Sequence, residues 1–129
     1  MRKDARVGAF QVLFGLDQGN NENDETLSMI VEENDLHDKD VEYVEHILKL
    51  FAEHKLEIDQ QISDHLNKQW TISRLGSVER TILRLGVLEI LYQEDVPKNV
   101  AINEAVELTK CFADEQSKRL INGILDKIG

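Results

Sequence analysis

The chain has 129 residues, 41% of them hydrophobic and 31% charged, and a formal net charge of −10. That length fits one domain burying roughly two-thirds of its unfolded surface, and with no apolar run of about 18 residues a membrane span is not expected. The N-terminus lacks the apolar core of a signal peptide and Cys111 is the only cysteine, which excludes an internal disulfide and points to a reducing, cytoplasmic address.

The elements read as helices throughout. There is a single proline, and β-branched and aromatic residues form no alternating runs that would make strands. The first helix is expected from about Arg2 to Asp17, with Ala5, Ala9, Val12, Leu13 and Leu16 on one face and Val7, Phe10 and Phe14 beside it. Residues 19–24 form a turn by composition, and a short helix carrying Leu27, Ile30 and Val31 ends near Asn34. The longest element starts near Asp38. Val41, Val44, Leu48, Phe51, Ile58, Ile62 and Leu66 share one stripe, giving either one helix to about Leu66 or two joined near His54 and Lys55. Its other face carries Glu42, Glu45, Glu53, Glu57 and Asp64 and is read as solvated.

Trp70 opens the next section, and Ser77 is the expected N-cap of a helix to Tyr92. Ile82, Leu83, Leu85, Val87, Leu88, Ile90 and Leu91 surround that helix, making it the buried hub. Gly86 inside it costs about 1 kcal/mol relative to alanine and marks a close helix crossing. Pro97 breaks the chain, and helices over about 100–112 and 115–128 follow, with Asp114 capping the last. The expected fold is all-α, a compact bundle of six or seven helices around the 77–92 helix, residues 1–129 forming a single domain.

Nothing marks an enzyme. His37, His46, His54 and His65 form no HExxH and no i, i+4 pair, and no metal site is expected. The glycines make no phosphate loop, and Cys111 is read as a small buried group near a helix end rather than a nucleophile. No catalytic residue and no cofactor are expected. The charge distribution is more telling. Residues 1–16 carry three bases and one acid, residues 17–64 three bases and fifteen acids, and residues 65–129 nine of each. The two chain ends can thus offer a local basic surface, and a patch this small should bind RNA weakly without a partner.

Candidate RNA contacts follow from helical spacing. Arg2 and Arg6 lie one turn apart with Lys3 between them, at a helix N-terminus whose dipole favours phosphate; the alternative is a merely solubilising cationic end. On the last helix Lys118 and Asn122 stand at i, i+4 with Arg119 beside them, while Ile121, Ile124, Leu125 and Ile128 point to the core. Asn122 can read a base edge or make a helix–helix hydrogen bond, and Gly123 permits close approach. Arg80 and Arg84, also one turn apart, either extend the basic track or pair with acids such as Glu79 or Asp95, the latter being preferred.

Four landmarks in order carry a family resemblance. They are Arg2-Lys3-Asp4-Ala5-Arg6, residues 74–85, the run Val100-Ala101-Ile102-Asn103-Glu104-Ala105-Val106-Glu107-Leu108 continuing to Lys110 and Phe112, and Ile121-Asn122-Gly123-Ile124-Leu125-Asp126-Lys127-Ile128. Together they resemble the NusB family of bacterial transcription antitermination factors. The resemblance implies two small helical bundles sharing long helices, and binding of a boxA-type single-stranded RNA from ribosomal RNA leaders. It also implies a partner, NusE, a small-subunit ribosomal protein contacted through Phe14 and Glu79, and association with RNA polymerase and other Nus factors. By position the RNA-binding set is Arg2, Lys3, Arg6, Lys118, Arg119, Leu120 and Asn122. Asp4 stands where relatives often have another arginine, and Leu120 where they often have a phenylalanine able to stack on a base. Losing Arg2 and Arg6 together should lower RNA affinity and leave helicity intact. The alternatives are a helical adaptor that binds only proteins, and an accessory domain of an RNA cytosine methyltransferase; no methyltransferase region follows Gly129, so the latter is not expected.

Overall fold

A computed structural model describes residues 2–19, 24–67 and 71–129, the side chains of Arg2, Asp24 and Glu25 excepted. Residues 20–23 of the expected turn, and Trp70, lie outside the described residues. Among the described residues there are six α-helices, one 3-10 turn and no strand. They are α1 (Arg2–Asp17), α2 (Asp24–Glu33), α3 (Asp38–Asp64), α4 (Ser77–Tyr92), α5 (Lys98–Phe112) and α6 (Glu115–Asp126), with the 3-10 turn over Ile72–Arg74 before α4. No helix of these residues is long and apolar enough to cross a membrane.

The periodicity explains the packing. In α1, Ala5, Ala9, Phe10, Val12 and Leu13 are buried, and Val7, Phe14 and Leu16 pack partly buried beside them. α2 ends where Asp35 takes a left-handed conformation (φ 51°). The Leu36 amide then donates to the Val31 carbonyl and the Asp35 amide to that of Glu32, the paired bonds of a Schellman cap. Leu36 is thereby turned into the core, against Gly8. α3 is one unbroken helix. Its stripe buries Val44, Leu48, Phe51, Ile58 and Ile62, joined by Tyr43 and Ile47, while Glu42, Glu45, Glu53, Glu57 and Asp64 are exposed.

α4 is the hub. It packs against α1, α3, α5 and α6, so that a bundle of α1–α3 and a bundle of α4–α6 meet along it. Ile82, Leu83, Leu85, Val87 and Leu88 are almost wholly buried. A Cβ added at Gly86 would lie 2.8 Å from Leu125 Cδ1 of α6, so glycine here is what allows the crossing. The N-cap of α4 is Gly76, not Ser77. Ser77 is the first helical residue, and its carbonyl accepts from the Thr81 hydroxyl. Asp114 caps α6, its side chain accepting from the Ser117 amide at 3.0 Å. That bond holds the Asp114 carboxyl below the usual carboxylate range.

Candidate nucleic-acid interface

At the start of α1, Lys3 and Asp4 are exposed, and the Arg2 side chain lies outside the described residues. Arg6 is not on the surface. It is only 5% exposed. Its Nε donates to both carboxylate oxygens of Glu89 at 3.0 Å, and its Nη1 lies 3.9 Å from Glu104. Burial lowers the Arg6 pKa, but the charge and hydrogen bond of Glu89 together with the charges of Tyr43 and Glu104 outweigh it, and the pKa is raised. The expectation that Arg6 faces phosphates therefore does not match this geometry. Position 6 falls on the arc that Ala9, Phe10 and Leu13 turn inward, and Glu89, itself 2% exposed, meets it from α4. The signal available in the sequence was Glu89, an acid set inside the apolar run from Leu85 to Leu91.

The last helix carries the exposed basic edge. Its apolar residues Ile121, Ile124, Leu125, and Ile128 just beyond it, are buried; Arg119, Asn122 and Gly123 face solvent. Lys118 is part-exposed, with Nζ 3.0 Å from Glu115. Arg119 and Asn122 make no side-chain hydrogen bond to other described residues, so the helix–helix bond open to Asn122 is not formed. Nothing lies within 4 Å of a Cβ placed at Gly123. Leu120 stands on a different edge. At about 100° per residue it is some 160° round the helix from Asn122, and it lines a cavity instead of the basic edge.

That cavity, about 400 Å³, opens between the turn before α4 and the first turns of α6, and its wall includes Leu75, Gly76, Glu79, Asp114, Ser117 and Leu120. Glu79 accepts a 2.6 Å hydrogen bond from the Ser117 hydroxyl, which also donates to Asp114. Phe14 is part-buried and stacks on Phe10, with centroids 5.8 Å apart; Phe10 also stacks on Phe112, at 4.6 Å and 37% exposed. Phe14 thus packs against the core while staying partly open to solvent. It lies at the end of α1 that meets the first turn of α4, where Asp17 binds Arg80.

Arg80 and Arg84 do pair with acids, but with Asp17 and Asp59 rather than Glu79 or Asp95. Arg80 donates to Asp17 from Nε at 2.8 Å and Nη2 at 2.6 Å, and to the carbonyls of Ile72 and Leu75. Arg84 donates to Asp59 through Nε and Nη2 and to Asp17 through Nη1 at 3.0 Å. The Arg80 hydrogen bond, then the charges of Arg80 and Arg84, hold Asp17 below the usual carboxylate range against the effect of burial. α1, α3 and α4 are tied by this one network. The nearby acids could not be named from sequence because they are far along the chain, on other helices.

His46 hydrogen-bonds Gln93 at 3.1 Å, and His54 stacks on Tyr92 with centroids 3.9 Å apart. No group of three metal-ligating side chains occurs among the described residues. Cys111 is exposed, contrary to its reading as a buried apolar group. It sits on the flank of α5, about 90° round from the buried stripe of Ala101, Ala105 and Leu108.

The likeness to known proteins spans nearly the whole chain. The sequence profile of the NusB family matches residues 3–129. The transcription antitermination protein NusB of Oceanobacillus iheyensis is 48% identical over 127 residues, covering 98% of this chain and 97% of that protein. That of Lysinibacillus sphaericus is 43% identical, covering 98% of this chain and 94% of its own. Among solved structures, NusB of T. maritima superposes with a TM-score of 0.85 at 34% identity, covering 98% of this chain and 89% of that one. A chain in a crystal structure of antitermination factors NusB and NusE in complex with double-stranded RNA gives 0.86 at 35% identity, covering 97% of this chain and 92% of its own. A buried α4, an α6 with an outward Asn122 and Gly123, and full-length identity well above that of fold likeness alone lead to one conclusion: this chain belongs to the NusB family.

Proposed function

We propose that the protein is a non-enzymatic, cytoplasmic transcription antitermination factor whose residues 1–129 act as one RNA-binding domain. It binds a boxA-type single-stranded RNA of ribosomal RNA leaders together with NusE, and the pair joins RNA polymerase and other Nus factors to suppress premature termination. The observation that carries this reading is the outward edge of α6, where Lys118, Arg119 and Asn122 project from a helix whose other side is core. Lys3, with Arg2, supplies the second cationic end, and Arg6 positions α1 through Glu89. Leu120 lines the cavity beside Glu79, and Phe14 and Glu79 form the NusE contact in this reading. The carboxylate of Glu79 suits a basic side chain of the ribosomal protein, and the solvent-open part of Phe14 an apolar one.

The test is fluorescence anisotropy of labelled boxA-type RNA titrated with the protein, with and without NusE, against a scrambled strand and a duplex. Four cationic side chains (Arg2, Lys3, Lys118, Arg119) should give a log K versus log salt slope of about −3. Selective binding to the boxA-type strand that tightens with NusE supports the reading. Failure to distinguish the RNAs in either arrangement refutes it and favours the protein adaptor.

A further inference from the structure

The two cationic ends, α1 and α6, do not adjoin. α5 lies between them. Its first turn meets the end of α6, where Lys98 Nζ donates to the Asp126 carbonyl at 2.7 Å. On its other flank it meets α1, through Glu104 and Arg6 and through Phe112 and Phe10. In these two contacts position advances in the same sense along both helices, so Lys3, about 4.5 Å upstream of Arg6 on the helix axis, lies toward the N-terminal half of α5. α6 runs antiparallel to α5 after the short Ala113–Asp114 turn, which brings Asn122 toward the same half. At about 100° per residue, Asn99 and Asn103 fall in the arc between Lys98 and Glu104 that faces away from buried Ala101 and Ala105. Both are exposed, and neither side-chain amide hydrogen-bonds to another described residue.

We infer that Asn99 and Asn103 of α5 read base edges of a single-stranded RNA that passes from Lys3 to the Asn122 edge of α6. This rests on the RNA-binding reading above. The chemistry of the strip favours bases over phosphates. Glu107 is paired with Lys110 at 3.2 Å and Glu104 shares Arg6 with Glu89, so the strip attracts a phosphate backbone little. What it offers freely is two amides, each with a donor pair and an acceptor, the set that pairs bidentately with a base edge. Their i, i+4 spacing sets them about 6 Å apart along α5, with Asn122 a third amide on the neighbouring helix. Phosphate contacts position and base contacts specify. The flanking Lys3, Lys118 and Arg119 do the first, and the amide strip does the second.

The test is the anisotropy titration on the Asn99→Ala, Asn103→Ala double variant, at two salt concentrations, with boxA-type and scrambled strands and NusE present. Both positions are exposed on a helix that alanine favours, and circular dichroism checks that helicity is kept. The preference for the boxA-type strand should fall about tenfold for each amide that engages a base, with affinity for the scrambled strand and the salt slope unchanged. A Lys118→Ala, Arg119→Ala variant should do the reverse, weakening both strands alike and flattening the slope. A double asparagine variant that keeps the wild-type preference, or that weakens both strands equally, overturns the inference and leaves the RNA-binding reading standing. Absence of any preference in the wild type overturns that reading, and the inference with it.

Discussion

Replacing Arg6 by methionine separates its two roles. In the structure the guanidinium is 5% exposed and faces Glu89, which is 2% exposed, with Glu104 just beyond. Arg6→Met removes the cation and leaves Glu89 buried without it, a change that costs about 3–5 kcal/mol. At the lower figure the melting temperature should fall by about 10–15 °C for a chain of this size. Arg6→Met combined with Glu89→Leu removes both charges and leaves apolar groups of similar length, so the double variant should recover to within about 1 kcal/mol of wild type. With each single variant costing about 3 kcal/mol and the pair about 1 kcal/mol, the coupling between the two positions is about 5 kcal/mol by a double-mutant cycle in urea. The recovered double variant also isolates the RNA role: its affinity for the boxA-type strand should match wild type. A single variant that melts within a degree or two of wild type would refute the buried-pair argument. A stable double variant with tenfold weaker RNA binding would make Arg6 a direct RNA contact. The expectation that losing Arg2 and Arg6 leaves helicity intact does not carry over, because Arg6 is part of the fold.

Gly86→Ala should destabilise by about 1–2 kcal/mol, since its Cβ would meet Leu125 at 2.8 Å and overpack the α4–α6 crossing despite alanine's better helix propensity; adding Leu125→Ala should make the pair far less harmful than the sum of the singles, as read by urea unfolding. Gly123→Ala should do the opposite, raising stability by about 1 kcal/mol because the site is open; if RNA seats against Gly123, its affinity drops in the same variant. Asp17 has a lowered folded-state pKa, so its contribution is present above the ordinary carboxylate pKa and is lost as pH falls through the folded value. Stability measured from pH 6 downward should therefore decline in wild type more steeply than in Asp17→Asn, which is already weaker by about 2–3 kcal/mol at pH 7 because Arg80 and Arg84 share its charge; equal slopes would remove Asp17 from the acid transition.

Most of the helical frame was readable from periodicity because each helix buries one stripe against the hub. Ser77 to Tyr92, the Asp114 cap and the Gly86 crossing were all visible in local sequence. What local sequence lacks is the identity of a residue's neighbour on another helix. Arg6 meets Glu89 from 83 positions away, and Arg80 meets Asp17 from 63. Spacing places such a side chain on a face of its own helix, but which faces adjoin is decided by tertiary packing. Cys111 failed for a related reason: sulfur's usual burial carried no information about the side of α5 on which position 111 falls. Leu120 was placed in the RNA-binding set by the family resemblance, whereas its helical angle puts it in the cavity with Glu79.

The fate of the arginines bears on how a protein of net charge −10 handles RNA. Arg6, Arg80 and Arg84, three of the bases that a linear reading offers to phosphates, are tied to Glu89, Asp17 and Asp59 inside or at the edge of the core. Most acids of α3 are exposed, Asp40 and the Arg84-bound Asp59 excepted, so they shape the long-range field while leaving α6 its local basic edge. Few unpaired cations remain on the described parts of α1 and α6, and a few phosphate contacts give a shallow salt dependence and modest affinity. Discrimination then has to come from groups whose strength does not depend on charge. The exposed amides of α5 and α6 are such groups, and a second protein at Phe14 and Glu79 would supply the contact area that so small a basic surface lacks.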